Sequence, residues 1–84
     1  RGELDEALRI RQEEQLPVYE ILGDVREALV CKAYIAMGLL RRNLQGDAAE
    51  AAALLEAAYA DAVRLRLPEA GEIRQIQKRF GLNG

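Results

Sequence analysis

Histidine is missing from this chain and cysteine occurs once, as Cys31. Without an imidazole no Ser or Cys nucleophile can be paired with its usual base, and one thiol cannot assemble a zinc site. No catalytic residue, no cofactor and no metal is therefore expected, and the chain reads as a non-enzyme. A lone thiol also cannot close an internal disulfide, which gives no more than a lean toward the cytoplasm. Aromatic side chains are few, three Tyr and one Phe, and much of the hydrophobic half of the composition is alanine, so the core must be thin. A chain of 84 residues makes one small domain that buries only about 60–65% of the surface its unfolded form exposes.

No apolar run approaches the roughly 20 residues that a bilayer span requires, so no membrane contact is expected. There is no basic-then-apolar leader either, and the opening Arg1-Gly2 in place of Met reads as an excised piece of something longer. A cationic face is missing too. The 14 acidic and 12 basic side chains give a net charge of −2 and alternate in blocks: about −4 over residues 1–27, +3 over 28–45, −4 over 46–72 and +3 over 73–84. Counterion-driven binding needs Lys and Arg clustered on one surface, so no nucleic-acid partner is expected. Gly23-Asp24 and Gly46-Asp47 are not phosphate loops, because they lack a second glycine, a lysine and a preceding strand.

Helix-forming sequence is what the chain does have. Ala, Leu, Glu and Arg dominate while Val, Ile and Thr are sparse, which predicts an all-α chain. The stretch that must organise the rest is Val25 to Arg42. Within it, Ala28 to Leu40 reads A-L-V-C-K-A-Y-I-A-M-G-L-L, with Lys32 as the only charge. A helix apolar on one side faces one neighbour, whereas one apolar nearly all round must be covered from several sides. This is the predicted central helix.

A repeat runs through the chain. Gly2-Glu3-Leu4-Asp5-Glu6-Ala7-Leu8 returns as Gly23-Asp24-Val25-Arg26-Glu27-Ala28-Leu29, then as Gly46-Asp47-Ala48-Ala49-Glu50-Ala51-Ala52, and degenerately as Pro68-Glu69-Ala70-Gly71-Glu72-Ile73. The starts lie 21, 23 and 22 residues apart. Each copy has the logic of a helix start. A Gly or Pro breaks the previous helix, an adjacent acid caps the new one or meets its positive end, and a second acid sits in the first turn. The sixth position is Ala or Ile, and a small residue there lets two helices approach closely.

Four helices follow from this spacing. The first, residues 3–22, carries Leu4, Ala7, Leu8, Ile10, Leu16, Val18, Tyr19, Ile21 and Leu22 on its apolar stripe, interrupted by the wholly polar Arg11-Gln12-Glu13-Glu14-Gln15. Pro17 costs on the order of 3 kcal/mol in a helix interior, so the helix kinks or breaks there. The apolar spacing resumes at Val18, which favours a continuous, kinked helix. The second helix, residues 25–42, ends in Arg41-Arg42, cations that complement its dipole, with Asn43 suited to a left-handed cap. The third, residues 47–66, carries nine alanines between Ala48 and Ala62. The fourth, residues 69–81, has Ile73, Ile76 and Phe80 on a narrow stripe, Gly81 as its stop, and Leu82-Asn83-Gly84 as a frayed tail. Short turns make neighbours antiparallel. Unequal burial, broad in the second helix and narrow in the fourth, favours a stacked array over a closed bundle.

These residues carry a family resemblance. Gly2-Glu3-Leu4-Asp5-Glu6-Ala7-Leu8 is similar to the turn and second-helix opening of tetratricopeptide repeats (TPR), where a Gly precedes an acidic stretch and a small Ala. The second helix, with Ile35, Ala36 and Leu39, resembles a first TPR helix, and the third, with Ala51, Leu55 and Ala58, resembles its partner. Residues 3–22 then match the second helix of a partial repeat, 24–66 one full repeat, and 69–81 a following first or capping helix. The chain departs from the pattern in its pairwise period of about 44–45 residues instead of about 34, and in the extra residues at Asn43 to Gly46. The resemblance implies one all-α domain over residues 1–84, built of antiparallel hairpins stacked as a fragment of a right-handed superhelix. It also implies a protein-interaction scaffold that takes a helix or extended peptide. TPR modules that hold C-terminal carboxylates use Lys and Asn on the groove face of the first helix. The corresponding positions here lie near Ala33 and Met37, so that clamp is not expected and the groove should be more apolar.

The candidate partner-binding residues are accordingly Tyr34 and Met37, with Arg11 and Gln15 at the rim and Arg41 at the helix end. Tyr34, Met37 and Tyr59 could equally be core filler, and Arg41-Arg42 and Arg74-Lys78-Arg79 ordinary last-turn cations. Glu13-Glu14 and Glu3-Asp5-Glu6 read most simply as solvated faces, and Cys31 as a small core residue. The competing functional reading is a structural spacer in a longer array, which would self-associate through its exposed first or fourth helix.

Overall fold

In the computed structural model, which describes residues 2–82, every regular element is helical. The tail residues Asn83 and Gly84 lie outside the described residues. α1 (Gly2–Ile10) passes into a π-helical segment (Arg11–Gln15) and on into α2 (Leu16–Leu22). α3 spans Val25–Arg42, α4 Asp47–Arg64 and α5 Glu69–Arg79. α1, the π segment and α2 form one unbroken rod, so the chain makes four rods. None of the described helices is long and apolar enough to cross a membrane.

Pro17 accounts for the π segment. A regular α-helix would call on the missing Pro17 N–H to bond the Glu13 carbonyl, and would press the ring against it. The turn widens instead. The Leu16 N–H reaches back five residues to the Arg11 carbonyl, and Ile10, Gln15 and Leu16 keep right-handed helical angles. The helix therefore runs on through the proline, at the cost of one residue of register, which re-phases the apolar stripe. Leu16 and Tyr19 pack against the core beside Leu4 and Leu8. Val18, Ile21 and Leu22, expected on the same inner stripe, are instead 50%, 84% and 71% exposed.

Side-chain pairings give the directions of the rods. Leu8 lies against Gly38, Arg11 against Cys31 and Asp5 against Arg42, so the first rod and α3 run antiparallel. Tyr59 meets Arg74 and Glu56 meets Gln77, so α4 and α5 do as well. α3 and α4 pack against each other after the turn at residues 43–46. α5 touches α3 as well as α4, and Arg26 and Glu69 meet where α3 and α5 both begin. The result is a slab of 35 × 31 × 16 Å.

α3 is innermost, as its composition predicts. The first rod, α4 and α5 all contact it, and Ala28, Leu29, Cys31, Ile35, Ala36 and Leu39 are buried. α4 answers with Ala51, Leu55, Ala58 and Ala62, all fully buried. The sixth positions of the repeat point inward: Ala28, Ala51 and Ile73 are buried and Ala7 half-buried.

The Gly-acid signature does a different job at each start. Gly23 takes a left-handed conformation (φ 71°) that ends the first rod, and Asp24 caps α3, its Oδ1 accepting the Glu27 N–H at 3.2 Å. Asp47 is the first residue of α4 and is buried. Its Oδ2 and Oδ1 accept from Arg42 Nε and Nη2, both at 2.9 Å, and Oδ2 also accepts the Leu44 N–H at 3.0 Å. Arg42 Nη1 reaches Asp5 at 3.1 Å. The side chain expected merely to complement a helix dipole thus ties three rods together.

Asn43 takes the expected left-handed cap (φ 56°). α4 stops at Arg64, two residues before the predicted end, because Arg66 adopts φ 58°. The Arg66 N–H donates to Val63 and the Leu67 N–H to Ala62. This is a Schellman closure with arginine where glycine is preferred, at a cost of about 1 kcal/mol. In α5 the predicted stripe is also rotated. Ile73 and Gln77 are buried, while Phe80 is 42% exposed, because the turn at Gly81 brings Leu82 onto the core instead. Gln77 Nε2 donates to Glu56 at 3.4 Å and its Oε1 has no protein partner.

A methyl added at Gly38 would lie 2.6 Å from Cδ2 of Leu8, itself only 2% exposed. Gly→Ala in a helix ordinarily gains about 0.5–1 kcal/mol. Gly38→Ala should instead lose about 1 kcal/mol or more, and should become stabilising in a Leu8→Ala background. Urea unfolding of the four proteins in that cycle measures the coupling; additive effects would show that the contact is not close.

Arg42 holds the Asp47 carboxyl below the usual carboxylate range, with the Leu44 N–H helping and burial opposing. A lowered folded pKa gives stability that is complete above the unfolded value of about 3.9 and is lost as pH falls through the folded value. Asp47→Asn should therefore melt several degrees lower than the parent at neutral pH, and this gap should narrow in thermal melts as pH is lowered below the unfolded value of about 3.9.

Candidate functional site

α5, eleven residues long, runs beside only the first part of the eighteen-residue α3. Between them lies a groove of about 250 Å³. Leu29 and Ile73, both buried, form its floor. Val30, Ala33, Met37 and Ile76, half-buried, form its sides, and Tyr34 stands at the rim with 53% of its surface exposed. Each wall follows from helical spacing: Leu29, Ala33 and Met37 recur every fourth residue along α3, and Ile73 and Ile76 are three apart on α5.

The polar groups are at one end. Glu69 and Glu72 line the groove where α5 begins, and among the described residues no basic side chain lines it. Arg26 donates to Glu69 Oε2 from Nη2 at 2.8 Å and from Nε at 3.0 Å. Those bonds, then the Glu69 backbone N–H, hold the Glu69 carboxyl below the usual range against the opposing effect of burial. Its Oε1 is sealed from solvent and takes no hydrogen bond from another of the described residues.

On the other side of Val30 and Tyr34 is a shallower depression of about 170 Å³, lined by Arg11, Gln15, Tyr19 and Cys31 among others. The Arg11 guanidinium lies 5.3 Å from the centre of the Tyr34 ring, within cation–π range. The Cys31 thiol is 5% exposed and donates to the Arg11 carbonyl at 3.8 Å. Burial pushes its pKa up, with the Arg11 charge pulling the other way. That is the environment of an unreactive core thiol.

Of the five residues singled out from sequence, Tyr34 and Met37 line the main groove. Arg11 and Gln15 line the adjoining depression, and Arg11 reaches Tyr34 across the ridge. Arg41 does not join them. It lies near the end of α3, with Leu4, Asp5 and Leu44, beyond the reach of the short α5. Sequence reasoning missed the α5 wall, above all Glu69 and Glu72. The signal that could have found it is the repeat itself, since α5 opens in the same phase as α3 and equivalent helices of an array lie side by side. Among the described residues no group of three His, Cys, Asp or Glu side chains is placed to hold a metal ion.

Comparison with protein-family models, with curated proteins and with solved structures finds no match to this chain.

Proposed function

We propose that the chain is a TPR-like protein-interaction module in which α3 and α4 form one whole repeat, the first rod is the second helix of a preceding repeat, and α5 opens the next. Stacked in that phase, the rods turn as a fragment of a right-handed superhelix, and equivalent first helices line its binding face. The single observation that carries the proposal is the apolar groove between α3 and α5, with Tyr34 at its rim. Its chemistry suits a partner helix or extended peptide that buries apolar side chains against Ala33, Met37 and Ile76. Ala33→Arg fills the groove with a long side chain, and Tyr34→Ala removes its rim. Proteins captured by the parent chain should be lost from both variants while the helical circular dichroism stays unchanged. Capture that survives both substitutions overturns the proposal.

A second reading, the self-associating spacer, is favoured by one observation. Val18, Ile21 and Leu22 sit at i, i+3 and i+4 on α2 and are all exposed. The opposite edge differs, since the outer side of α5 carries Gln75, Lys78 and Arg79, all exposed. Sedimentation should then show the parent associating as concentration rises and Ile21→Lys remaining monomeric. A parent that is monomeric throughout rejects this reading.

A further inference from the structure

We propose that the groove selects a cationic partner: an apolar helix or extended segment that sets a Lys or Arg side chain against Glu69 and Glu72. Resting on the groove reading above, this assigns the chemistry of what the groove takes. Three observations converge on it. The groove lining is apolar apart from Tyr34 and the two carboxylates, and among the described residues it carries no basic side chain. Glu69 is already partly desolvated, its side chain only 17% exposed, with Arg26 bound to Oε2. Glu72 lines the same end of the groove and is exposed, so its carboxylate is open to an incoming cation.

The position of the charge adds direction. Both carboxylates lie at the end where α3 and α5 begin, whereas Met37 and Ile76 lie further along the groove. A partner is therefore oriented, its apolar side chains over Ala33, Met37 and Ile76 and its cation toward Glu72. Arg26, 56% exposed, occupies the outer side of the same carboxylate. A guanidinium or ammonium entering the groove would meet the exposed Glu72 carboxylate, with Glu69 behind it already held by Arg26. An acidic partner would instead meet the Glu72 carboxylate, the Glu69 charge being offset by Arg26, so the groove discriminates by repulsion as well as attraction.

The test is a selection of random peptides displayed against the whole chain, with each enriched peptide synthesised and its binding measured by fluorescence anisotropy. Enriched sequences should combine apolar residues with Lys or Arg. They should bind Glu72→Gln and Glu69→Gln about tenfold more weakly than the parent, weaken as salt rises, and fail to bind Ala33→Arg. Glu72 is exposed, so its variant keeps the fold and the test stands on it even where Glu69→Gln is destabilised. Peptides blocked by Ala33→Arg but without basic residues, or indifferent to Glu72→Gln and to a folded Glu69→Gln, would overturn the cationic assignment and leave the groove reading intact. Peptides unaffected by Ala33→Arg, or no enrichment at all, would overturn both.

Discussion

The structure depends on one constraint: α3 is apolar on nearly every side, and few large side chains are available to cover it. A helix in that position is satisfied either by bulky neighbours at ordinary distance or by small residues that let backbones come close. This chain takes the second course. Ala51, Ala58 and Ala62 of α4 are fully buried, and Gly38 of α3 admits the end of Leu8 where even a methyl would collide. Dispersion contacts at close range replace the area that aromatic residues would have buried. The cost is intolerance, because every site of close approach is one where an added methyl has to displace something.

Polar ties carry a second share of the burden, and they gather at the rod ends. Arg42 joins Asp5 and Asp47 at one end of α3, and Arg26 joins Glu69 at the other. The two differ in exposure. Asp47 is nearly buried, with a side chain 6% exposed, and its carboxylate receives two guanidinium bonds and a backbone N–H. Both of its oxygens are bonded. Glu69 is answered on one oxygen only. The same kind of ion pair thus closes both ends of α3, but at the groove end the exposed Glu72 lies beside it.

What could be read in the sequence was whatever is decided locally. The central helix follows from thirteen residues with one charge, the left-handed cap at Asn43 from its residue type and place after two arginines, and the inward sixth positions from the repeat. What could not be read was decided by register or by distant neighbours. The polar run Arg11 to Gln15 gives no hint that one extra residue is absorbed there, and that single step turns Val18, Ile21 and Leu22 outward and Leu16 and Tyr19 inward. Gln77 is polar by type and buried by position, because Leu82 folds back beside it and Phe80 is displaced to the surface. Tyr34 and Met37 could be put on one face of α3 from their spacing, but the carboxylates at the end of the same groove come from a helix about 35 residues further along the chain, and only packing brings them together.

The two edges of the slab are not equivalent, and this bears on how surfaces are shared. Among the other rods α2 touches only α3, and its far side presents Val18, Ile21 and Leu22. Glu20, exposed, lies within that patch. Two copies meeting patch to patch about a two-fold axis would bring this carboxylate near its own counterpart, and like charges at an interface core cost affinity. A heterologous contact avoids this, since the exposed Lys78, Arg79 and Phe80 at the end of α5 offer opposite charge beside an aromatic ring. Such a contact would leave both faces of α3 untouched, so occupation of the α2 edge and of the groove are separable events. The groove depends on where α5 stops, and the edge depends on where the π turn sets the register.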